Sequence, residues 1–517
     1  MFLDRFPLEM SDEDVRELHH GAERHRDEAK LVARVLAGDY TPRDFELALP
    51  LRDYQRTAAD LVLRTGSLLL ADDLGVGKTA SGIGMLSEPG ARPGLVVTMT
   101  HLADQWRREL TRFLPNVRVH VLNGTRPYDI VDAHAREDRR AGIIRAPAFP
   151  DVLVTTYHRI HGWAGALAPR VRSLVYDEVQ ELRHAKTDRY FAASVLSGSA
   201  RYRLGLSATP IHNYGGEFYN VIEALRPGAL GTRDEFVREW CVAGEEERKT
   251  RVKDARAFGL YLRESGIMLR RTRKDVGREL PPLSVVPHHV DADVGEIDRI
   301  ADSAGHLART ILAQTTGTGA GLAKLQASGE FDRILRQATG IAKAPYVAAF
   351  VRLLVESGEP VLLFGWHRSF YDIVGAALKD LAPAFYTGSE SPKQKAESIE
   401  RFRTGQTKVL IMSLRAGAGV DGLQFACRTV VIGELDWSPV VHDQGIGRID
   451  RDGQPDPVTA YFLIADAGSD PTVSDVCGAK RAQSQPIRDP NAAVIQRAAI
   501  DPQHVKRLAE AFLARRR

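Results

Sequence analysis

Two tandem α/β units, each a parallel sheet with helices on both faces plus helical inserts, are predicted by three observations. Short apolar runs alternate with helix-length segments, one such run feeds a glycine-rich turn ending in Gly77-Lys78-Thr79, and a second set of runs lacks any such turn. Alternation of this kind argues for parallel strands joined by crossover helices. A chain of 517 residues with 44% apolar and 7% aromatic residues has enough material for two cores. A net charge of +3 and a pI near 8.6 are only mildly basic, so any contact with nucleic acid must come from local patches.

The N-terminal segment, residues 1–40, opens a helical stretch at residues 11–37 with Ser-Asp-Glu-Asp, a capping signal. It is read as a helix packed on the first unit rather than a docking arm. The histidines of HHGAERH have no cysteine partners and are read as solvated. Cys241, Cys427 and Cys477 are far apart with no CxxC spacing, which argues against a disulfide framework and against zinc. The charged N-terminus does not resemble a signal peptide, and no apolar run approaches bilayer length; a cytoplasmic protein without a membrane is expected.

Unit one, residues 41–282, has LLLA, GLVVT, DVLVTT, SLVYD and RLGLS as strands and ends at Pro281-Pro282. In LLADDLGVGKT the strand, glycine turn and helix start aim several N–H groups at one point, as a polyphosphate requires. Lys78 then reaches the β/γ-phosphates and the Thr79 hydroxyl ligates Mg²⁺. Asp72 stands where the strict spacing wants Gly. The competing reading, a plain glycine turn, gives way before Asp177-Glu178, placed at a second strand end. There Asp177 holds Mg²⁺ and Glu178 polarises water. Ser207-Ala208-Thr209-Pro210 follows a third run.

Residues 283–343 read as a charged helical linker, broken by TTGTGAG at residues 315–321, a mobile loop. Unit two, residues 344–465, offers VLLF, FYTG, KVLIMS, TVVIGE and AYFLIA. With no GKT of its own it is expected to supply charge to a nucleotide held by unit one, through Arg448 and Arg451, which share a face if their segment is helical. The tail, residues 466–517, ends in a basic amphipathic segment read as an exposed helix.

Across residues 51–465 the chain resembles the superfamily 2 helicase-like ATPases, and within them the Swi/Snf remodeller class. The resemblance rests on LRDYQ, ADDLGVGKT, VVTMTHLADQWRREL, VLVTTYHRI, DEVQELRHAKT, LSATPIHN, LRRTRKDVGRELPP, VLLFGWHR, SLRAGAGVDGLQ and DWSPVVHDQGIGRIDRDGQ, in order. It departs from the class at Asp73 for the usual Glu, Met99 for Pro, and Gln180 for His, the last tolerated because an amide still hydrogen-bonds. The wording of the later motifs is closer to the compact bacterial and phage branch, and does not point to nucleosomes.

What the resemblance implies is two RecA-like lobes using ATP and Mg²⁺. Arg52 and Gln55 would read adenine. Asp73, Gly75, Gly77, Lys78, Thr79, Gln180 and Gln444 would line the nucleotide, and Ser207 and Thr209 would couple lobe closure to the DNA track. Thr100-His101, Thr155, Thr156 and residues 413–417, including Ser413 and Gly417, would touch a sugar–phosphate backbone without reading bases. The implied activity is a motor that translocates on double-stranded DNA, inside a larger protein complex serving defence, repair or remodelling. A strand-separating DNA or RNA helicase, a motor stripping a protein such as RNA polymerase from DNA, and a non-catalytic nucleic-acid-binding scaffold are its rivals. Intact Lys78, Asp177, Glu178, Arg448 and Arg451 argue against the scaffold.

Overall fold

The computed structural model describes residues 10–210, 215–242, 250–277, 280–297, 299, 318–414, 420–475, 477–478, 487 and 489. These form two compact units: residues 10–73, 77–272, 487 and 489 in one, and residues 74–76 and 273–478 in the other.

Unit one is built on strands β1 (Ser67–Leu70), β2 (Gly94–Thr98), β3 (Val119–Val121), β4 (Val152–Thr156), β5 (Ser173–Asp177), β6 (Tyr202–Leu206) and β7 (Met268–Leu269). They form one parallel sheet in the order β3-β4-β2-β5-β6-β1-β7. Alternate residues of each strand enter opposite cores: Leu69, Leu95, Val97, Leu153 and Leu174 join one, and Leu68, Leu70, Val96, Val154 and Val175 the other. Burial on both faces is why these strands read as unbroken apolar runs. The two short outer strands, β3 and β7, have no signature in the sequence, because two or three residues carry no periodicity.

The N-terminal helix Asp12–Ala37 is closed by a Ser11–Asp14 capping box and by Gly38 in the left-handed region. It packs on unit one through Val32 and a Glu28–Arg226 ion pair of 3.1 Å.

Unit two contains β8 (Leu283–Val290), β9 (Val361–Gly365), β10 (Ala384–Tyr386), β11 (Val409–Ser413), β12 (Thr429–Ile432) and β13 (Val458–Ala465), in the order β10-β11-β9-β12-β13-β8. Here the sequence boundaries need correction. The first eight residues assigned to the linker are β8, paired in parallel with β13 along its whole length, from Leu283 opposite Val458 to Val290 opposite Ala465. Of the expected loop at 315–321, residues 315–317 lie outside the described residues, and 318–321 are the first turn of the helix Thr318–Glu356. The Asp332–Glu356 part of that helix is also long and apolar enough to cross a membrane, contrary to expectation. Its apolar residues Val347, Val351 and Leu354 are buried in the core of unit two with Leu363 and Tyr461, which accounts for that composition. In the expected tail, Ile487 is fully buried in the core of unit one; the basic final segment lies outside the described residues.

Candidate functional site

In unit one Asp73, Gly77, Lys78, Thr79, Asp177, Glu178, Gln180, Ser207 and Thr209 lie at or follow the carboxyl ends of β1, β5 and β6, which are neighbours in the sheet. This is where open parallel sheets bind ligands. The turn after β1 runs through Gly75 (φ 80°) and Gly77 (φ 82°) and opens the helix Lys78–Ser87. A side chain at Gly77 would be strained by its positive φ, and its Cβ would lie 2.6 Å from Gln55 Nε2 and displace it from the Gly77 carbonyl, to which it donates at 3.4 Å. Gln55 is thus held against the turn, with its Oε1 accepting from the Arg52 N–H at 3.1 Å. The Arg52 side chain is exposed.

Lys78 Nζ donates to the carbonyls of Asp72 (2.8 Å) and Asp73 (2.9 Å), so it spans the turn from within. Desolvation pushes its pKa below the usual lysine value, opposed by the carboxylates of Asp72, Glu178 and Asp73. Thr79 is half-buried in the first turn of the helix.

Two arginines that sequence reasoning quoted but gave no role hold this turn. Buried Asp72, the residue that breaks the strict spacing, accepts from Arg271 Nη2 at 2.6 Å and Nε at 3.1 Å, while Arg271 Nη1 donates to the Tyr54 carbonyl at 2.6 Å. Asp73 accepts from Arg270 Nη2 at 2.6 Å. Arg270 is buried, donates to the Ala71 carbonyl at 2.7 Å and pairs with Asp489 at 2.8 Å. The signal was present in the adjacent arginines of LRRTRKDV, but not their partners.

Asp177 closes β5. Its Oδ2 accepts from Thr98 Oγ1 (2.9 Å) and Trp106 Nε1 (2.8 Å), which fix its direction. Burial raises its pKa, against the pull of those two donors and of Lys78. Glu178 sits at φ 55°, ψ 53°, a conformation costly for a non-glycine residue and typical of functional turns. Gln180 Nε2 donates to Glu178 Oε2, while Gln180 Oε1 is buried without a hydrogen-bond partner among the described residues. Ser207 Oγ accepts from the Thr209 N–H at 2.9 Å, and Thr209 Oγ1 is likewise buried and without a partner among the described residues.

Unit two places Gln444, half-buried, on the helix Pro439–Ile446. That helix ends at Gly447, so Arg448 and Arg451 lie in turns and not on one helical face: the Arg448 N–H donates to Gly445 and the Arg451 N–H to Ile449. Arg451 Nη1 donates to Asp421 Oδ1 at 2.6 Å.

The expected backbone contacts fare unevenly. Thr100 is exposed and Ser413 half-buried at the end of β11, whereas Gly417 lies outside the described residues. Thr155 and Thr156 are 0% and 1% exposed inside β4, so their hydroxyls are not offered to a strand. Both belong to a central parallel strand covered on its two faces.

The SNF2-related domain family matches residues 43–301, and the helicase conserved C-terminal domain family residues 345–453. The SWI/SNF-related matrix-associated actin-dependent regulator of chromatin subfamily A-like protein 1 of Xenopus tropicalis is 27% identical over 84% of this chain and 44% of its own length. The DNA annealing helicase and endonuclease ZRANB3 of Mus musculus is 26% identical over 85% and 41%. The chain therefore spans less than half the length of these curated relatives. A Sulfolobus solfataricus SWI2/SNF2 ATPase core solved in complex with dsDNA superposes with a TM-score of 0.40 at 21% identity, covering 87% of this chain and 96% of that one.

Proposed function

Because the chain belongs to the SNF2-related family of helicase-like ATPases, we propose that it is an ATP hydrolase stimulated by double-stranded DNA, translocating on the duplex to remodel protein–DNA complexes or to serve a defence or repair assembly. One observation supports this above the rest: Lys78, Asp177 and Glu178 converge at the carboxyl edge of one sheet, within electrostatic reach of each other.

The donor set fits Mg²⁺-ATP. Two left-handed glycines and a helix N-terminus present N–H groups to phosphate, Lys78 offers a cation, and Thr79 and Asp177 offer the oxygens a magnesium ion prefers. The bound nucleotide supplies the phosphoryl group that passes to water. Glu178, held by Gln180, orients that water and takes its proton. Gln55 stands at the turn as the adenine-side contact, and Arg448 and Arg451 supply positive charge to the transition state. Thr100 and Ser413 are the candidates for contact with the sugar–phosphate backbone.

The test is the rate of ATP hydrolysis with duplex DNA, single-stranded DNA and RNA in parallel. Duplex should stimulate most, its binding should weaken steeply with salt, and triplex displacement should accompany turnover while forked-duplex unwinding stays at background. Equal stimulation by all three nucleic acids, or unwinding without triplex displacement, would reject the duplex-motor reading.

A further inference from the structure

At the opposite edge of the first sheet from β7 lies a second polar cluster that the ATPase reading does not use. His120 stands in the middle of β3, the outermost strand, and is 1% exposed. The helix Ile130–Arg140, capped by Asp129, brings His134 and Glu137 to it from one face, three residues apart. Glu137 Oε2 lies 2.8 Å from His120 Nδ1 and 3.7 Å from His134 Nδ1, and the three residues each bring a ligand atom within 4.8 Å of the other two.

A hydrogen-bonded network accounts for only part of this. His120 Nδ1 pairs with Glu137, and His120 Nε2 meets the Tyr128 hydroxyl at 2.9 Å, but His134 Nδ1 is buried, lies 3.7 Å from Glu137 Oε2 and has no hydrogen-bond partner among the described residues. Once its proton moves to Nε2, such an imidazole nitrogen beside a second imidazole and a carboxylate can join a ligand set. We propose that His120 Nδ1, His134 Nδ1 and Glu137 Oε2 bind one zinc ion.

Two imidazoles and one carboxylate suit zinc better than magnesium or calcium, which prefer oxygen alone. Zinc bonds of about 2.0–2.1 Å in a tetrahedron put ligand atoms about 3.3 Å apart, so the present spacings need adjustments of roughly an ångström. Glu137 is 44% exposed, which leaves a fourth position open to water. With both Nδ1 atoms on the metal, each ring carries its proton on Nε2. That of His120 points at the Tyr128 oxygen, and that of His134 faces Asp138 Oδ2 at 3.7 Å. Arg145 Nη2, now 3.0 Å from His134 Nε2, gives up that contact and keeps its two bonds to Asp138.

Since β3 is five strands from β1 at about 4.8 Å per strand, ~24 Å, the ion is a staple and not a second reaction centre. It ties the helix to a strand that, among the described residues, pairs only with β4. Cysteine spacing argued against zinc because it could not register histidines that the fold brings together.

The experiment uses the full chain without an affinity tag, stripped by a chelator and titrated with Zn²⁺ by calorimetry, with Co²⁺ absorption reporting coordination. One equivalent should bind, and Zn²⁺ should raise the melting temperature. Glu137→Gln and His134→Gln should weaken binding roughly 10–100-fold or more and abolish the melting shift. A variant with His19, His20 and His25 replaced by Ala should bind as the wild type does. No stoichiometric binding, or binding unchanged in Glu137→Gln, overturns the proposal. Glu137 is partly exposed and its amide replacement keeps the shape, so that variant decides the matter even where His134→Gln fails to fold.

Discussion

β1 and β8 hold the same place in two sheets and end in opposite chemistry. Six strands of unit one run β3-β4-β2-β5-β6-β1, and unit two repeats the pattern as β10-β11-β9-β12-β13-β8. Beyond β1 the chain enters a turn with left-handed Gly75 and Gly77, then a helix whose first residue is Lys78. Beyond β8 it enters Asp291-Ala292-Asp293, where Asp293 Oδ1 accepts from the Glu296 N–H at 3.2 Å. A carboxylate already occupies the helix start there, and it repels phosphate where bare N–H groups attract it. One scaffold, used twice, carries a phosphate cradle once; the difference lies in a few residues after one strand and not in the fold.

If that division is right, unit two contributes cations rather than a second cradle, and their loss should have the largest effect. Arg451→Ala is expected to lower single-turnover hydrolysis by about 10³ to 10⁵-fold with little change in ATP affinity, and Arg448→Ala should be measured beside it. Arg451 also pairs with Asp421, whose side chain is 61% exposed, so the pair itself is worth little stability. Asp421→Asn separates the two roles: if it reproduces the loss in full, Arg451 acts by holding its own loop.

Next in size is Glu178→Gln, expected to cut turnover by about 10² to 10⁴-fold while nucleotide affinity holds or rises. A collapse of affinity would mean that Glu178 serves its strained turn and not the water. Lys78→Ala should cost about 10² to 10³-fold in turnover and leave duplex-DNA binding intact, because the lysine faces the turn carbonyls. Near wild-type turnover in that variant would remove the cradle from the mechanism, and with it the contrast between β1 and β8.

The parts legible in the sequence were those whose causes are local. Central strands such as Gly94–Thr98 and Val361–Gly365 are buried along their whole length and read as apolar runs. The glycine turn and the Asp177-Glu178 strand end are likewise contiguous. What stayed hidden depends on residues far apart in the chain. Arg271 and Asp72 are separated by 199 positions and Arg270 and Asp73 by 197, so no window of sequence shows that the aspartates of the turn are held by arginines. The helical face assumed for Arg448 and Arg451 failed at Gly447, and the hydroxyls of Thr155 and Thr156 looked available only because burial is a property of the sheet. In β8, LSVVPHHV mixes a proline and two histidines with its apolar residues, a composition an edge strand tolerates and a linker equally allows.

The smallest expected effect concerns that strand. Val286 is 6% exposed, lies opposite Tyr461 of β13, and packs in one core cluster with Val351 and Leu463. Shortening it to alanine removes two methyl groups from a filled core, so Val286→Ala should destabilise unit two by about 1–2 kcal/mol, between the usual costs of Ile→Val and Leu→Ala changes. A linker position would tolerate the same change within about 0.5 kcal/mol. Because two units need not unfold together, one melting point is the wrong readout. Amide hydrogen exchange resolves them. Protection should fall in Thr429–Ile432 and Val458–Ala465 of unit two and stay level in Gly94–Thr98 and Ser173–Asp177 of unit one. Unchanged protection along β13 would detach β8 from the second core, and its correspondence with β1 would then be a matter of drawing rather than of energy.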